Sequence, residues 1–446
     1  MSQLAERHDT YRAAFDGLQR DTPPAVADLR ERGFARFADL GFPTTSLERW
    51  RFTNVRAIAN GDFTLADPAA SSTVEASAVA PYELRGVDGP QVVFVDGHFS
   101  AALSRTDALP AGVDVGSLAD TLRRHPDSIT PYLGRLARFD DQAFTALNTA
   151  LIQDGAVVRI PDHAVVETPL HLLFLSTSVD QRMSHPRVLV IVGENAQARI
   201  VESYAGLGAA RYFTNTVTEV SVHDSAVVDH YKLIRDSVQA FHVGSMHVRL
   251  GRSATFSSHS ISLGGALVSN DVWAELAGEG GECTLNGLYL VNARRLVDNH
   301  TTIQHAQPRC ASHELYKGIL DDEARAVFNG KIVVAIDAQK TDAKQTNKAL
   351  LLSEDAQINT KPELEIFADD VKCTHGATVG QLDDDALFYL RARGLAHEQA
   401  RNILIHAFAS DLLQRIAVEP VRAQLDALLL QQLPGLGGGA FYEQSD

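Results

Sequence analysis

Between residues 150 and 380 the chain is cut into short apolar or alternating runs, one every 8–14 residues. Examples are 156–160, 170–175, 188–192, 216–222, 226–233, 283–291, 331–336 and 364–367, separated by Gly, Asn, Asp or Ser. Helical periodicity is nearly absent over this stretch, so a mainly β fold is predicted. A propeller needs a repeat of about 40–50 residues, and none is visible. Three separators share one design instead: 193–198 (Gly-Glu-Asn-Ala-Gln-Ala), 222–227 (Val-His-Asp-Ser-Ala-Val) and 250–255 (Leu-Gly-Arg-Ser-Ala-Thr). Each is a polar turn followed by Ala and the next β run. Their spacing of roughly 28 residues suits the stacked coils of a parallel β-helix.

The flanks read differently. Leu18, Val26, Leu29, Phe34, Phe37 and Leu40 recur at helical spacing around Pro23-Pro24, and Gly41 closes the pattern. Thr45 with Glu48 predicts a capping box, residues 60–90 a linker, and 91–99 a strand running into the Asp96-Gly97 turn. Helical spacing returns over 115–150. It resumes at Asp383-Asp384-Asp385, which supplies an N-cap, and continues through Ala400–Ile416 and Val421–Leu433. These last helices can seal the end of a solenoid or offer a face to a partner. The expected organisation is an N-terminal, mostly helical region with linker (1–148), a β-helix core (149–380) and a C-terminal helical region (381–446).

Charge and composition exclude several classes. Forty Lys plus Arg against 56 Asp plus Glu give a net charge of −16, which argues against nucleic-acid or anionic-membrane binding. No uncharged apolar run of about 18 residues occurs, and the first residues lack the apolar stretch of a secretory signal. Cys283, Cys310 and Cys373 are too few for a disulfide framework, so the chain reads as cytoplasmic. Seven of the eight lysines lie between Lys317 and Lys372. This is either drift toward Arg elsewhere or a segment that uses flexible point charges.

Enzyme motifs are missing. Residues 435–440 match a dinucleotide fingerprint in letters but follow a helix near the C-terminus, and 278–281 reads as a turn. Gly330-Lys331 lacks the rest of a phosphate-binding loop, and no His-Glu-x-x-His, Gly-x-Ser-x-Gly or Cys-x-x-Cys occurs. The chain is not expected to hydrolyse ATP or to be an enzyme by itself. A polysaccharide-cleaving β-helix would need grouped carboxylates and aromatics, whereas the β region carries a single tryptophan, Trp273. Of the seventeen histidines, His223, His230, His242, His247, His259, His300, His305 and His313 all fall in the β region, a pattern that fits a structural polar ladder or a metal pathway.

The constellation richest in chemistry is 369–378, Asp-Asp-Val-Lys-Cys-Thr-His-Gly-Ala-Thr. On an extended strand Cys373 and His375 project to one face, roughly 6–7 Å apart. Thiolate and imidazole both bind iron or zinc, but two ligands do not close a tetrahedral site. A small buried cysteine beside a hydrogen-bonded histidine has the same spacing.

The segment from Glu314 to Leu395 contains Glu314-Leu-Tyr-Lys-Gly-Ile, Val327-Phe-Asn-Gly-Lys, Asp337-Ala-Gln-Lys-Thr-Asp-Ala, Gln345-Thr-Asn-Lys, Asn359-Thr-Lys-Pro-Glu-Leu-Glu-Ile and Leu387-Phe-Tyr-Leu-Arg-Ala-Arg-Gly. With 368–380 it closely resembles the SufB/SufD family of iron–sulfur cluster assembly proteins, and its Cys-Thr-His-Gly-Ala-Thr form is most like SufD. Weaker matches at Phe42-Pro-Thr-Thr, Trp50-Arg-Phe-Thr-Asn, Val93-Phe-Val-Asp-Gly and Ala146-Leu-Asn-Thr-Ala extend the resemblance over nearly the whole chain.

The resemblance implies a right-handed parallel β-helix core flanked by helical regions. It implies pairing with a SufB-like paralogue, binding of a SufC-like ATPase through the C-terminal helices, cluster assembly with sulfur delivered to SufB, and a link to iron acquisition. His375 would lie at the SufB interface as a neutral ligand or proton acceptor, with Cys373 the weaker candidate. No cofactor is expected to be stably bound, only transient iron or a nascent Fe–S cluster, because a resident cluster wants about four thiolates. A purely structural subunit of the same complex, and a homodimer of the isolated chain, remain open readings.

Overall fold

The computed structural model describes residues 3–19, 23–68, 74–107, 109–177 and 179–433 of the 446-residue chain. The β runs wind into a parallel β-solenoid of about eight turns. Successive strands alternate between an 11-stranded and a 10-stranded sheet, so each turn adds one strand to each wall. Pairing is parallel and in register: Phe213 opposes Phe241, 28 residues on, and Arg325 opposes Gln357, 32 residues on.

The repeated turn design has a backbone cause. Asn195, Ser225 and Ser253 adopt left-handed φ of 56°, 58° and 53°. Each directs its N–H to a carbonyl of the next coil (Asp224, Arg252 and Glu279, at 2.8–3.0 Å). The following Ala196, Ala226 and Ala254 are fully buried at the narrow corner, where a larger side chain would not fit. Inside the coils Val158, Val190, Phe256, Leu285 and Phe328 belong to one continuous apolar core.

Helices cover both outer walls. Helix Pro24–Leu40 starts on a proline, whose missing N–H is not needed in a first turn, and stops at Gly41, φ +63°, which bonds back to Phe37 O. It packs Val26, Leu29, Phe34 and Phe37 on helix Ala143–Ala150 and on Phe213, Phe241 and Val243 of the larger sheet. A Cβ on Gly33 would lie 2.8 Å from Ala150 N, so only glycine permits this approach. The fully buried Arg187 anchors the contact, giving Glu219 Oε1 two bonds (2.8 and 3.1 Å) and Asn148 Oδ1 a third. Burial pushes the Glu219 carboxyl up, but Arg187 and the N–H groups of Gly134 and Ala137 outweigh it and hold it below the usual range.

Two local expectations change. Thr45 does not cap an α-helix: Glu48–Trp50 is a single 3-10 turn preceded by Leu47 without a side-chain cap. Tertiary contacts override the local signal there, since Arg49 pairs with Asp271 and Trp50 packs on Phe144. Within 60–90, Phe63, Val79 and Leu84 are buried despite the sparse pattern around them.

At the C-terminal side, Asp383 Oδ1 accepts the N–H groups of Asp385 and Ala386 and starts helix Asp384–Ala392. Helices His397–Leu413 and Glu419–Gln432 then fold back along the smaller sheet, burying Ile405, Leu412, Leu425 and Leu429 against Val201, Leu233, Ile261, Leu288 and Ile319. They cover a wall and do not seal the end. The glycine-rich 435–440 lies outside the described residues. The final strands, Gln357–Ile366 and Lys372–Gly380, are paired on one side only, so the last coil is open in both sheets.

Candidate functional site

Strand Lys372–Gly380 forms the edge of the smaller sheet, with Cys373 opposite Ala343 and His375 opposite Gln345. Ala343 and Gln345 are buried on the inner face of the preceding coil, so in-register pairing turns Cys373 and His375 toward the coil interior. That interior is open to solvent here because no further coil stacks on it among the described residues.

The two side chains differ in surroundings. Cys373 is half-buried against a cluster formed by Ile332, Val334, Ala343 and Ala368. Burial pushes its thiol up, and Asp342 adds to the effect. His375 is exposed and makes no hydrogen bond or ion pair among the described residues. Among those residues, no group of three His, Cys, Asp or Glu is placed to hold a metal ion. The other cysteines are remote from chemistry: Cys283 is in the core with its thiol pushed up by burial, and Cys310 donates to Gly278 O.

Apolar side chains surround the open end. Ile336, Phe367 and Val379 are exposed by 67%, 64% and 45%, in contrast to the buried coils behind them. On helix Asp384–Ala392, Phe388 and Tyr389 are also exposed, by 73% and 57%. No described helix is long and apolar enough to cross a membrane.

Six of the eight histidines singled out from the sequence have a nearby partner: His230–Glu202, His242–Asp236, His247–Ser245, His259–Asn286, His300–Asp298 and His305–Ser312. They are spread over both sheets and none stacks on another in register, so each is held by its own local partner and they do not form a ladder. Glu314 and Gln345, which are not among the sequence-predicted site residues, meet inside the solenoid two coils and one coil from the open end respectively. Their signal was present as polar residues at the inward positions of strands Ala311–Leu320 and Asp342–Leu351.

Comparison with known proteins agrees with this architecture. Residues 1–172 match the SufBD protein N-terminal region family, and residues 174–408 match the family described as SUF system FeS cluster assembly, SufBD core domain. The chain is 33% identical to the iron–sulfur cluster assembly protein SufD of Escherichia coli over 97% of both chains. It is 36% identical to an iron–sulfur cluster assembly SufBD family protein of Synechocystis over 90% of this chain and 89% of that one. Identity to SufD of Bacillus subtilis is 24%, over 91% and 94%. The chain belongs to the SufBD family of the SUF iron–sulfur cluster assembly system.

Proposed function

We propose that this chain is a non-catalytic scaffold subunit of a SUF complex, joined through its open solenoid end to a SufB-like paralogue and through its C-terminal helices to a SufC-like ATPase. Iron and sulfide are cargo, assembled transiently at the junction with His375 as a ligand and Cys373 beside it. The observation that carries this reading is the terminal coil: two unpaired sheet edges, exposed apolar side chains and an unengaged imidazole gathered on one surface. An unpaired edge is a template for a further strand. Pro362 removes one donor from edge Gln357–Ile366, whereas Lys372–Gly380 keeps a full set, so the partner is expected to pair along the latter.

The missing ligands would come from the partner. Exposed Phe388 and Tyr389 suit docking of the ATPase, whose movement would be passed to the coils by the helices packed on the smaller sheet. Co-expression with SufB-like and SufC-like chains, followed by absorption and Mössbauer spectroscopy of the complex, tests the reading. A complex that forms and builds clusters through His375 supports it. A complex that forms and builds clusters without His375 leaves only the structural role.

A further inference from the structure

Side chains on the inner face of a solenoid coil are ordinarily apolar, because the two walls close over them. This fails in the earlier coils around Glu202, His230 and Lys232, and again along one seam from mid-solenoid to the open end. Asn270 and Asn299 are register partners on successive coils, joined by a 3.2 Å bond from Asn270 Nδ2 to Asn299 Oδ1. Thr301, on the same face as Asn299, lies against Glu314 of the opposite wall. Glu314 Oε2 accepts from Gln345 Nε2 at 2.7 Å on the next coil. Gly330 makes room for that amide, since a Cβ there would lie 2.1 Å from Nε2. Asn347 donates to Thr360 Oγ1 at 2.9 Å on the last coil, and Gln345 itself stands in register with His375.

The seam is buried, yet its bonding is incomplete. Among the described residues Asn270 Oδ1, Asn299 Nδ2, Gln345 Oε1 and Asn347 Oδ1 have no hydrogen-bond partner, and besides Gln345 the Glu314 carboxyl meets only the Thr301 hydroxyl. Each such atom forfeits the hydrogen bonds it had to water in the unfolded chain if it stays dry. A bound water bonds about two to four polar atoms at once, and polar seams are where internal waters sit.

We propose that this seam binds a file of internal waters, through which Glu314 exchanges its proton with solvent at the open end. The carboxyl O–H bond breaks, the proton passes to the adjacent water, and a proton leaves the file where Asn347 and Thr360 reach the last coil. The reverse sequence reprotonates the carboxylate. Burial holds the Glu314 carboxyl up at about 7, against the bond from Gln345, so both forms are populated near neutral pH. The titratable groups around it are Cys283, Tyr289 and Tyr316, all pushed up by burial and neutral in that range. Thr301 and Gln345 face it from the remaining strands. A carboxylate formed here would offset positive charge arriving at the open end, a consequence that rests on the proposed assembly role; the water file and the proton exchange do not.

Infrared spectroscopy of the full-length chain tests the proposal without any partner. A neutral-carboxyl C=O band is expected that Glu314→Gln abolishes and that fades as pH rises through about 7. On transfer to D2O it should shift at least about tenfold faster than the amides of the surrounding strands exchange. The double variant Asn347→Leu/Thr360→Val replaces the polar exit with groups of similar shape and should slow that shift at least about tenfold while keeping the band. Absence of a Glu314-dependent band overturns the proposal, as does wild-type exchange as slow as the core amides. An unchanged rate in a folded double variant overturns it too.

Discussion

Cys373 and His375 stand on the same face of strand Lys372–Gly380, and only Cys373 is packed against protein. The pair therefore separates into a partly structural residue and a residue whose side chain bonds nothing among the described residues. His375→Ala is expected to change stability by no more than about 0.5 kcal/mol, as for other exposed sites. Partner assembly should persist, because the strand edge and the apolar side chains around it are untouched. Cluster yield should fall at least about tenfold, the consequence of losing a ligand from an already incomplete set. Denaturant titration, co-purification and absorption spectra of the same preparation measure all three. Wild-type yield from the variant would remove His375 from the chemistry.

The three cysteines should be told apart by a thiol reagent. Cys283 and Cys310 are buried and Cys373 is half-exposed. One maleimide per native chain is expected, located at Cys373 by mass spectrometry, and three after unfolding. Assembly with a SufB-like chain should suppress the native label by covering the open end. A label that remains fully reactive in the complex would move the partner interface away from this coil.

The architecture was legible in the sequence where a local rule recurs many times. The polar turn followed by Ala, read at three separators, is the left-handed corner residue and its buried neighbour in the structure. Asp383 was legible as a cap because its carboxylate acts on N–H groups two and three residues away. Thr45 misled because the contacts that decide its segment, Arg49 to Asp271 and Trp50 to Phe144, come from more than 90 residues away. The same holds for Arg187 with Glu219 and for Glu314 with Gln345. Each is an ordinary polar residue in its own strand and becomes a buried pair only when coils about 30 residues apart stack.

Glu314 should leave a signature in the pH dependence of stability. Its folded carboxyl sits at about 7, above the ordinary 4.5, because burial disfavours the charged form. The folded state then holds more protons than the unfolded state between those values, so this residue makes stability fall as pH rises from about 4.5 to 7. A displacement of that size corresponds to about 3 kcal/mol. Glu314→Gln keeps the shape and the contact with Gln345 but removes the charge, so the variant should be the more stable protein above pH 7 and show a flatter profile across the window. Denaturant midpoints collected from pH 4 to 8 measure it. Parallel profiles for wild type and variant would mean that the carboxyl is not held neutral.

Lys317 lies three residues beyond Glu314 on the same strand but faces outward, where it fastens the C-terminal helices. Its Nζ donates to Phe408 O at 2.8 Å, pairs with Asp411 at 2.6 Å and lies 4.7 Å from the Phe408 ring. The lysine is almost fully covered and Asp411 is half-exposed, so the two halves of the pair are not equivalent. Removing the carboxylate strands a covered cation; removing the lysine frees a carboxylate that water can solvate. Asp411→Ala should therefore cost about 2 kcal/mol, and Lys317→Met, which keeps an apolar stem in place, less than about 1 kcal/mol. In both variants faster amide exchange should be confined to helices His397–Leu413 and Glu419–Gln432, which rest on this contact. The bond from Lys317 holds the Asp411 carboxyl below its ordinary range. The stability it contributes is thus present above the ordinary carboxylate pKa and lost as pH falls through the depressed folded value, where wild type and Lys317→Met should converge. Equal costs for the two substitutions, or loosening that begins in the solenoid, would show that the helices are held by their apolar face alone.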